Sequence, residues 1–158
     1  MGYIKIWVHL VWTTKNRKPL LNDSIRGIIF DHIRKNAMEK GIYLDFINGY
    51  REHVHCLVSL GPGQDVDKIL MLLKGESSRW INQNSLVSGH FGWQDEYFAV
   101  SISESSVNRV RNYIRKQEDH HKRRSFEEEY QQFLKRYDFD RFVSGYSPGS
   151  AGFFPPPA

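Results

Sequence analysis

An α+β fold is expected for this 158-residue chain, on three features of its sequence. Four stretches alternate apolar and polar residues at the two-residue period of a strand, and two stretches repeat apolar residues at three- and four-residue intervals. The third feature is their order: strand, helix, strand, strand, helix, strand. That order is the split βαβ, or ferredoxin-like, arrangement, a four-stranded antiparallel sheet with both helices on one face. A further helix carrying Tyr113 comes after the fourth strand and is expected near the other face.

The elements arise from the residues in turn. From Tyr3 to Thr14, Ile4, Ile6, Val8, Leu10 and Trp12 alternate with Lys5, Trp7, His9, Val11 and Thr13, which predicts a long first strand with one dry face. Lys15-Asn16-Arg17-Lys18-Pro19 ends it, since proline cannot continue a ladder. A solvated turn and a phosphate-binding loop are both open readings of those cations. Asn22, Asp23 and Ser24 offer N-cap chemistry to a helix whose apolar positions run from Ile25 to Met38 and which Gly41 closes. Ile42 to Tyr50 predicts a second strand that returns through Arg51-Glu52 into a third, His53 to Leu60, its antiparallel neighbour. Gly61-Pro62-Gly63 stops the third strand, and Val66 to Ile81 predicts the second helix. Asn82 to Gly92 reads as a loop and Trp93 to Ile102 as the fourth strand.

The third strand carries the chemistry. In His53-Val54-His55-Cys56-Leu57-Val58-Ser59-Leu60 the two histidines point to one face and Val54, Cys56 and Val58 to the other. Two imidazoles on neighbouring same-face positions can share a divalent cation if a third ligand arrives from elsewhere. Exposed or merely hydrogen-bonded histidines are the plainer reading of the pair alone. A His-x-His-x-His nucleotide hydrolase is excluded, because the third position is Leu57. If the two helices cover Val54, Cys56 and Val58, the histidines lie on the uncovered side, accessible to the chain beyond the fourth strand.

That part of the chain opens with a predicted helix from about Ser106 to Asp119. Tyr113 and Gln117 are four residues apart on it and share a face. Gln117 can offer a carbonyl oxygen to a cation and Tyr113 a phenolic oxygen one turn earlier, although a tyrosine on an amphipathic helix more often packs. Ser125 and Glu128 form a capping-box pattern that starts one more helix, which bears Tyr130 and Tyr137. Neither of these has a ligand-type residue four places on, position 134 being Leu134 and position 141 Arg141.

Composition narrows the class. The length suits one domain, taken as residues 1–140, with an irregular tail over 141–158 that is rich in Gly, Ser and Pro. A formal charge of +4 permits a polyanionic partner without demanding one. The single cysteine, Cys56, excludes an intramolecular disulfide and a cysteine-based zinc cluster. The sequence has no apolar run near the roughly 18–20 residues of a membrane span and no secretory pattern at its start, so a cytoplasmic protein is expected.

Several stretches, in order, resemble the single-tyrosine HUH transposases, the group of small insertion-sequence transposases and REP-associated tyrosine transposases. They are His9-Leu10-Val11-Trp12-Thr13-Thr14-Lys15-Asn16-Arg17-Lys18-Pro19, the His53-Val54-His55 motif, Leu73-Lys74-Gly75-Glu76-Ser77-Ser78-Arg79-Trp80, and Asn112-Tyr113-Ile114-Arg115-Lys116-Gln117-Glu118-Asp119-His120-His121. The similarity runs from about Tyr3 to Tyr137, and motifs arriving in the right order are more specific than any one of them.

The resemblance implies Tyr113 as nucleophile, His53, His55 and Gln117 as metal ligands, and Mg²⁺ or Mn²⁺ as cofactor. It also implies single-stranded DNA, with a hairpin, as substrate, cleaved and rejoined through a 5′-phosphotyrosine, and a homodimer as the working form. A DNA hairpin- or repeat-binding protein of the same fold that no longer transposes is the alternative. Arg17, Lys18, Lys74, Arg79, Arg109, Arg111 and Arg115 are candidate DNA-holding cations, and Trp12, Trp80 and Trp93 are candidate stacking partners, aromatics of this kind being more often core. No residue of the sequence stands out as a base for Tyr113.

Overall fold

The structure, a computed structural model, describes residues 2–137. The tail expected over 141–158 and the end of the domain at 140 lie outside the described residues. The strands are β1 (Ile6–Thr13), β2 (Tyr43–Gly49), β3 (His53–Leu60) and β4 (Phe98–Ile102), and the helices α1 (Asp23–Glu39), α2 (Val66–Gln83), α3 (Val107–Arg115), α4 (Gln117–His121) and α5 (Phe126–Arg136). The sheet order is β2-β3-β1-β4 with every neighbouring pair antiparallel, which is the expected ferredoxin-like topology. Strands 1 and 4 are shorter than their alternation suggests. Ile4 precedes β1 and is exposed, and Trp93 touches β1 only through an isolated bridge to Thr14.

Helix ends obey the capping chemistry read from sequence. The Asn22 side chain accepts from Ser24 N, and at the far end Gly41 takes φ 71° while Gly41 N donates to Met38 O and Ile42 N to Ala37 O. That pair of bonds satisfies carbonyls a helix otherwise leaves bare, and it turns the chain into β2. Gly49 is needed for a different reason: a Cβ there would sit 2.2 Å from His53 O, so only glycine lets the hairpin close tightly enough to set His53 in register.

Cross-strand pairing sorts the sheet residues into two faces. Val8, Leu10, Trp12, Val54, Cys56 and Val58 join Ile29, Ile33, Leu70 and Leu73 of α1 and α2 in the main apolar core. The opposite face carries His9, Val11, Thr13, His53, His55 and Leu57, and the pairing Val11↔His55 and Thr13↔His53 lays β1 directly beside the histidines. This face is covered by helices that follow β4: the tyrosine-bearing α3, as expected, and α5, which the sequence does not place there. Val107 and Ile114 of α3 pack on Trp7 and Leu57, and Phe126, Tyr130 and Phe133 of α5 pack on Val11 and Phe98. His53 and His55 are 0% exposed as a result. The apolar residues of α5 need burial as much as those of α1 and α2, and the second sheet face is the place for them.

The single helix expected from Ser106 to Asp119 is also divided. Lys116 has φ −91° and ψ 18° and separates α3 from α4. Asn48 of β2 supplies the reason, its side-chain amide donating to Ile114 O at 3.0 Å and Arg115 O at 3.1 Å. Those carbonyls are thereby satisfied where the helical ladder stops. No helix among the described residues is long and apolar enough to cross a membrane.

Candidate active site

The strand period of β3 projects His53 and His55 from the same face, and α3, α4 and α5 deliver the rest. Gln117 begins α4 just past the Lys116 break, and its Oε1 lies 3.0 Å from His53 Nε2. Tyr113 of α3 stands edge-on to His55, ring centroids 5.7 Å apart. All four residues predicted for the centre therefore meet, and they do so within one chain. Gln117 is wholly buried, while Tyr113 is half-buried.

They meet at a residue that the sequence did not single out. Glu129 of α5 is 1% exposed. Its Oε1 accepts from His55 Nε2 at 2.9 Å, and its Oε2 accepts from the Tyr113 hydroxyl at 2.6 Å and lies 3.1 Å from His121 Nε2. Three more partners were missed. His121 Nε2 also lies 3.0 Å from Gln117 Oε1. Glu52 Oε1 accepts from His53 Nδ1 at 2.6 Å, and His9 Nε2 lies 2.8 Å from His55 Nδ1. Alternation in β1 already put His9 on the histidine face, so antiparallel pairing of β1 with β3 was the signal for it. Glu129 had only its position one helical turn past the Ser125 cap, and no local pattern separates it from Glu127 and Glu128.

Charge in this pocket is tightly coupled. Burial pulls His9 down to about 3 and His55 down to about 4, because a dry cavity penalises imidazolium. Burial acts on His53 too, yet the hydrogen bond to Glu52 and the charge of Glu129 outweigh it and raise His53. Burial would raise Glu129, but His55, His121 and His53 hold its carboxyl far below the usual range. Tyr113 is raised by burial first, then by the negative charge of Glu129 and the bond to it.

The donor set fits a divalent cation. The ring nitrogens of His53 and His55 and a carboxylate oxygen of Glu129 all lie within 4.8 Å of one another, and Gln117 Oε1 adjoins them. Glu52 and His9 each engage the outward nitrogen of a histidine, and a partner of that kind fixes a ligand's tautomer and aim. From outside, a cavity of about 570 Å³ between β4, α3 and α5 reaches Tyr113 past Ser103, Ser106, Arg109 and Arg136.

Residues 3–117 match the family described as "Transposase IS200 like". The chain belongs to the IS200-like transposase family. Within it, the chain is 27% identical over 124 residues to the ISDra2 transposase TnpA of Deinococcus radiodurans, an alignment covering 75% of this chain and 89% of the relative. It also resembles the crystal structure of a Deinococcus radiodurans transposase at 27% identity, with a TM-score of 0.56, covering 74% of this chain and 95% of the other. A REP-associated tyrosine transposase bound to a REP hairpin shares the fold, with a TM-score of 0.58 at 18% identity, covering 77% of this chain and 72% of the other. These findings agree with the single-tyrosine HUH family to which the motifs pointed. In this IS200-like transposase the family match ends at Gln117, so His121, Glu129 and all of α5 lie beyond it.

The candidate DNA-holding cations divide into two groups. Arg17 bonds Glu127 at 2.7 Å and lies over the rings of Phe126 and Tyr130, Lys74 donates to Gln94 O and Asp95 O, and Arg111 forks onto Asp45 at 2.7 and 2.8 Å. These three tie elements of the fold together. Lys18, Arg79, Arg109 and Arg115 are exposed. Arg109 and Arg115 share the histidine side of the sheet with Tyr113, whereas Arg79 sits on α2 behind it. Trp12 and Trp93 are core residues packed edge to face, and Trp80 stacks on His32 at 3.8 Å.

Proposed function

We propose that this transposase cleaves and rejoins single-stranded DNA by a phosphoryl transfer in which Tyr113 is the nucleophile, with the catalytic domain spanning residues 1–140 in the cytoplasm. The observation that carries the reading is the convergence of Tyr113, His53, His55 and Gln117, from three separate elements, on one buried polar centre. A scaffold that only bound DNA would have no use for a dry nest of imidazoles beneath a tyrosine.

His53, His55 and Gln117 would hold Mg²⁺ or Mn²⁺, which when bound offsets the negative charge that shields a phosphodiester from nucleophiles and polarises its phosphorus. Tyr113 Oη forms the new bond to phosphorus and gives up its proton, for which Glu129 Oε2 is the hydrogen-bonded acceptor. The bond from phosphorus to the 3′-oxygen of the neighbouring nucleotide breaks, and that oxygen takes up one proton to leave as a hydroxyl. A 5′-phosphotyrosine results, with the bond energy retained, so that a second 3′-hydroxyl can displace Tyr113 and rejoin strands without a nucleotide cofactor. Because the Tyr113 hydroxyl donates to Glu129, its lone pairs stay available to the cavity through which a strand would enter. Arg109 and Arg115, with Lys18, would hold the backbone phosphates.

A hairpin-bearing substrate is proposed because the REP-associated relative was solved on a REP hairpin. A homodimer is proposed on the family resemblance, and since Tyr113 meets the histidines of its own chain, pairing is not required to complete the centre.

The test is incubation of a hairpin-bearing single-stranded oligonucleotide with the protein and Mg²⁺ or Mn²⁺. A covalent protein-DNA adduct is expected and should vanish in Tyr113→Phe. Cleavage that persists in that variant would show water to be the attacker, and binding without cleavage in either metal would favour a hairpin-binding protein that has lost transposition.

A further inference from the structure

We propose that Glu129, from a helix beyond the family-matched segment, is a fourth ligand of the metal centre, so that the site is a His₂-Gln-Glu set closed by α5. The inference rests on the proposed function, in which this centre takes a divalent cation.

Spacing is the first argument. Oxygen ligands of Mg²⁺ stand about 2.0–2.1 Å from the ion, so adjacent ligand atoms of an octahedron stand about 3 Å apart and opposite ones about 4 Å. Two contacts here have the adjacent length, 2.9 Å between His55 Nε2 and Glu129 Oε1 and 3.0 Å between His53 Nε2 and Gln117 Oε1. The third, 3.7 Å between His53 Nε2 and Glu129 Oε1, falls between the adjacent and opposite values. All four atoms can thereby face one ion, His53, His55 and Glu129 lying within 4.8 Å of one another and Gln117 beside His53.

Burial is the second. A carboxylate taken fully out of water is costly unless opposite charge meets it, and Glu129, 1% exposed, is met by ring nitrogens of His55 and His121 and by the Tyr113 hydroxyl. A divalent cation supplies opposite charge directly. Oxygen donors also suit Mg²⁺ and Mn²⁺, whereas a pair of imidazoles alone leaves the metal undetermined.

Placement is the third. Glu129 is not a surface side chain swung inward. The Ser125 cap on Glu128 N, the packing of Phe126 and Phe133, and the Arg17–Glu127 ion pair fix α5, and these contacts are independent of any ion. With Oε1 on the cation, Oε2 keeps the Tyr113 hydroxyl, so one side chain sets the distance between ion and nucleophile. The other group of metal-type residues, Glu52, His53 and His121, is better understood as support, because Glu52 engages the Nδ1 of His53 rather than the nitrogen that faces Gln117.

The decisive measurement is calorimetric titration of the full chain with Mn²⁺ alone, without DNA, for wild type, Glu129→Gln and, as a control on the site, His55→Ala. Glu129→Gln should weaken Mn²⁺ binding by about 10–100-fold, the range seen when groups supporting a metal are lost. Unchanged affinity would overturn the proposal, and tighter binding would overturn it by showing that the carboxylate competes with the ion. If Glu129→Gln does not fold, a crystal structure of wild type soaked in Mn²⁺ decides: a Glu129 oxygen within about 2.3 Å of the ion supports it, and a separation beyond about 3 Å, or no bound Mn²⁺, removes it. The functional reading fails separately. Mn²⁺ binding that depends on Glu129 in a protein that forms no DNA adduct would leave the ligand in place and dismiss the nuclease chemistry.

Discussion

The two faces of this sheet are buried alike, but only one of them is apolar throughout. Under α1 and α2 the strands present Val8, Leu10, Trp12, Val54, Cys56 and Val58, an apolar layer held by its removal from water. Under α3, α4 and α5 the same strands present His9, His53 and His55, equally dry, with Glu129 and Gln117 pressed on them. Buried polar groups cost free energy, most of all when unpaired, as Thr13 Oγ1 is among the described residues, so the second face trades stability for a fixed arrangement of charge. One face holds the molecule together, and the other holds a reaction site in position.

That division is broken most directly by exchanging the consequences. On the polar face, His55→Ala should reduce strand cleavage at least about 10³-fold, a loss of about 4 kcal/mol in transition-state stabilisation, read as adduct formed at saturating Mn²⁺. On the apolar face, Leu10→Ala should lower the unfolding free energy by about 3 kcal/mol, read by urea denaturation, and leave the Mn²⁺ affinity of the folded protein as it was. A Leu10→Ala protein that stayed folded but lost metal binding would show that the faces are not separable.

The apolar face was legible in the sequence because its rules are local. Alternation in β1 and β3, the Asn22 cap and the Gly41 stop each declare themselves within a few residues, and the structure obeys them. His53 and His55 were legible because residues two apart on a strand share a face. Tyr113 and Gln117 were legible from their four-residue spacing together with the resemblance to the transposase motifs, although Lys116 divides their helix. The covering of the second face by α5 was not legible. It depends on where α5 docks after an open turn at 122–125, and nothing in the apolar residues of that helix says which surface will receive it. Glu129 went unseen for the same reason, since its partner His55 is 74 positions away. The Lys116 break was hidden likewise, because its cause, Asn48, lies on another element.

Acid should sharpen the contrast. His9 and His55 have folded values of about 3 and about 4 against an ordinary 6.5. Below pH 6.5 the unfolded chain takes up protons that the folded chain refuses, so stability is lost as pH falls from 6.5 towards 4, by about 1 kcal/mol per group per pH unit. Glu129, held low in the fold, adds to the loss once pH drops below its ordinary 4.5. His53, raised in the fold, has the opposite sign: its contribution is fully present below 6.5 and fades as pH climbs through its folded value. Urea midpoints of the metal-free protein should therefore fall steeply on the acid side, and His9→Gln should flatten that limb. An unaltered slope would mean that His9 is already charged in the folded state.

The smallest expected effect tests whether the polar layer can loosen on its own. Arg17 reaches from the turn after β1 to Glu127 and covers Phe126 and Tyr130, so it fastens α5 from outside. A partly exposed ion pair with cation–π contacts contributes about 1 kcal/mol. Arg17→Ala should speed amide hydrogen exchange in α5 and leave α1 and α2 as protected as before. Equal loss of protection in all three helices would make the molecule one cooperative unit and cancel the distinction between a stabilising face and a working one. Confined to α5, the change should also weaken Mn²⁺ binding a few-fold, because a helix that opens more often presents Glu129 to the ion for less of the time.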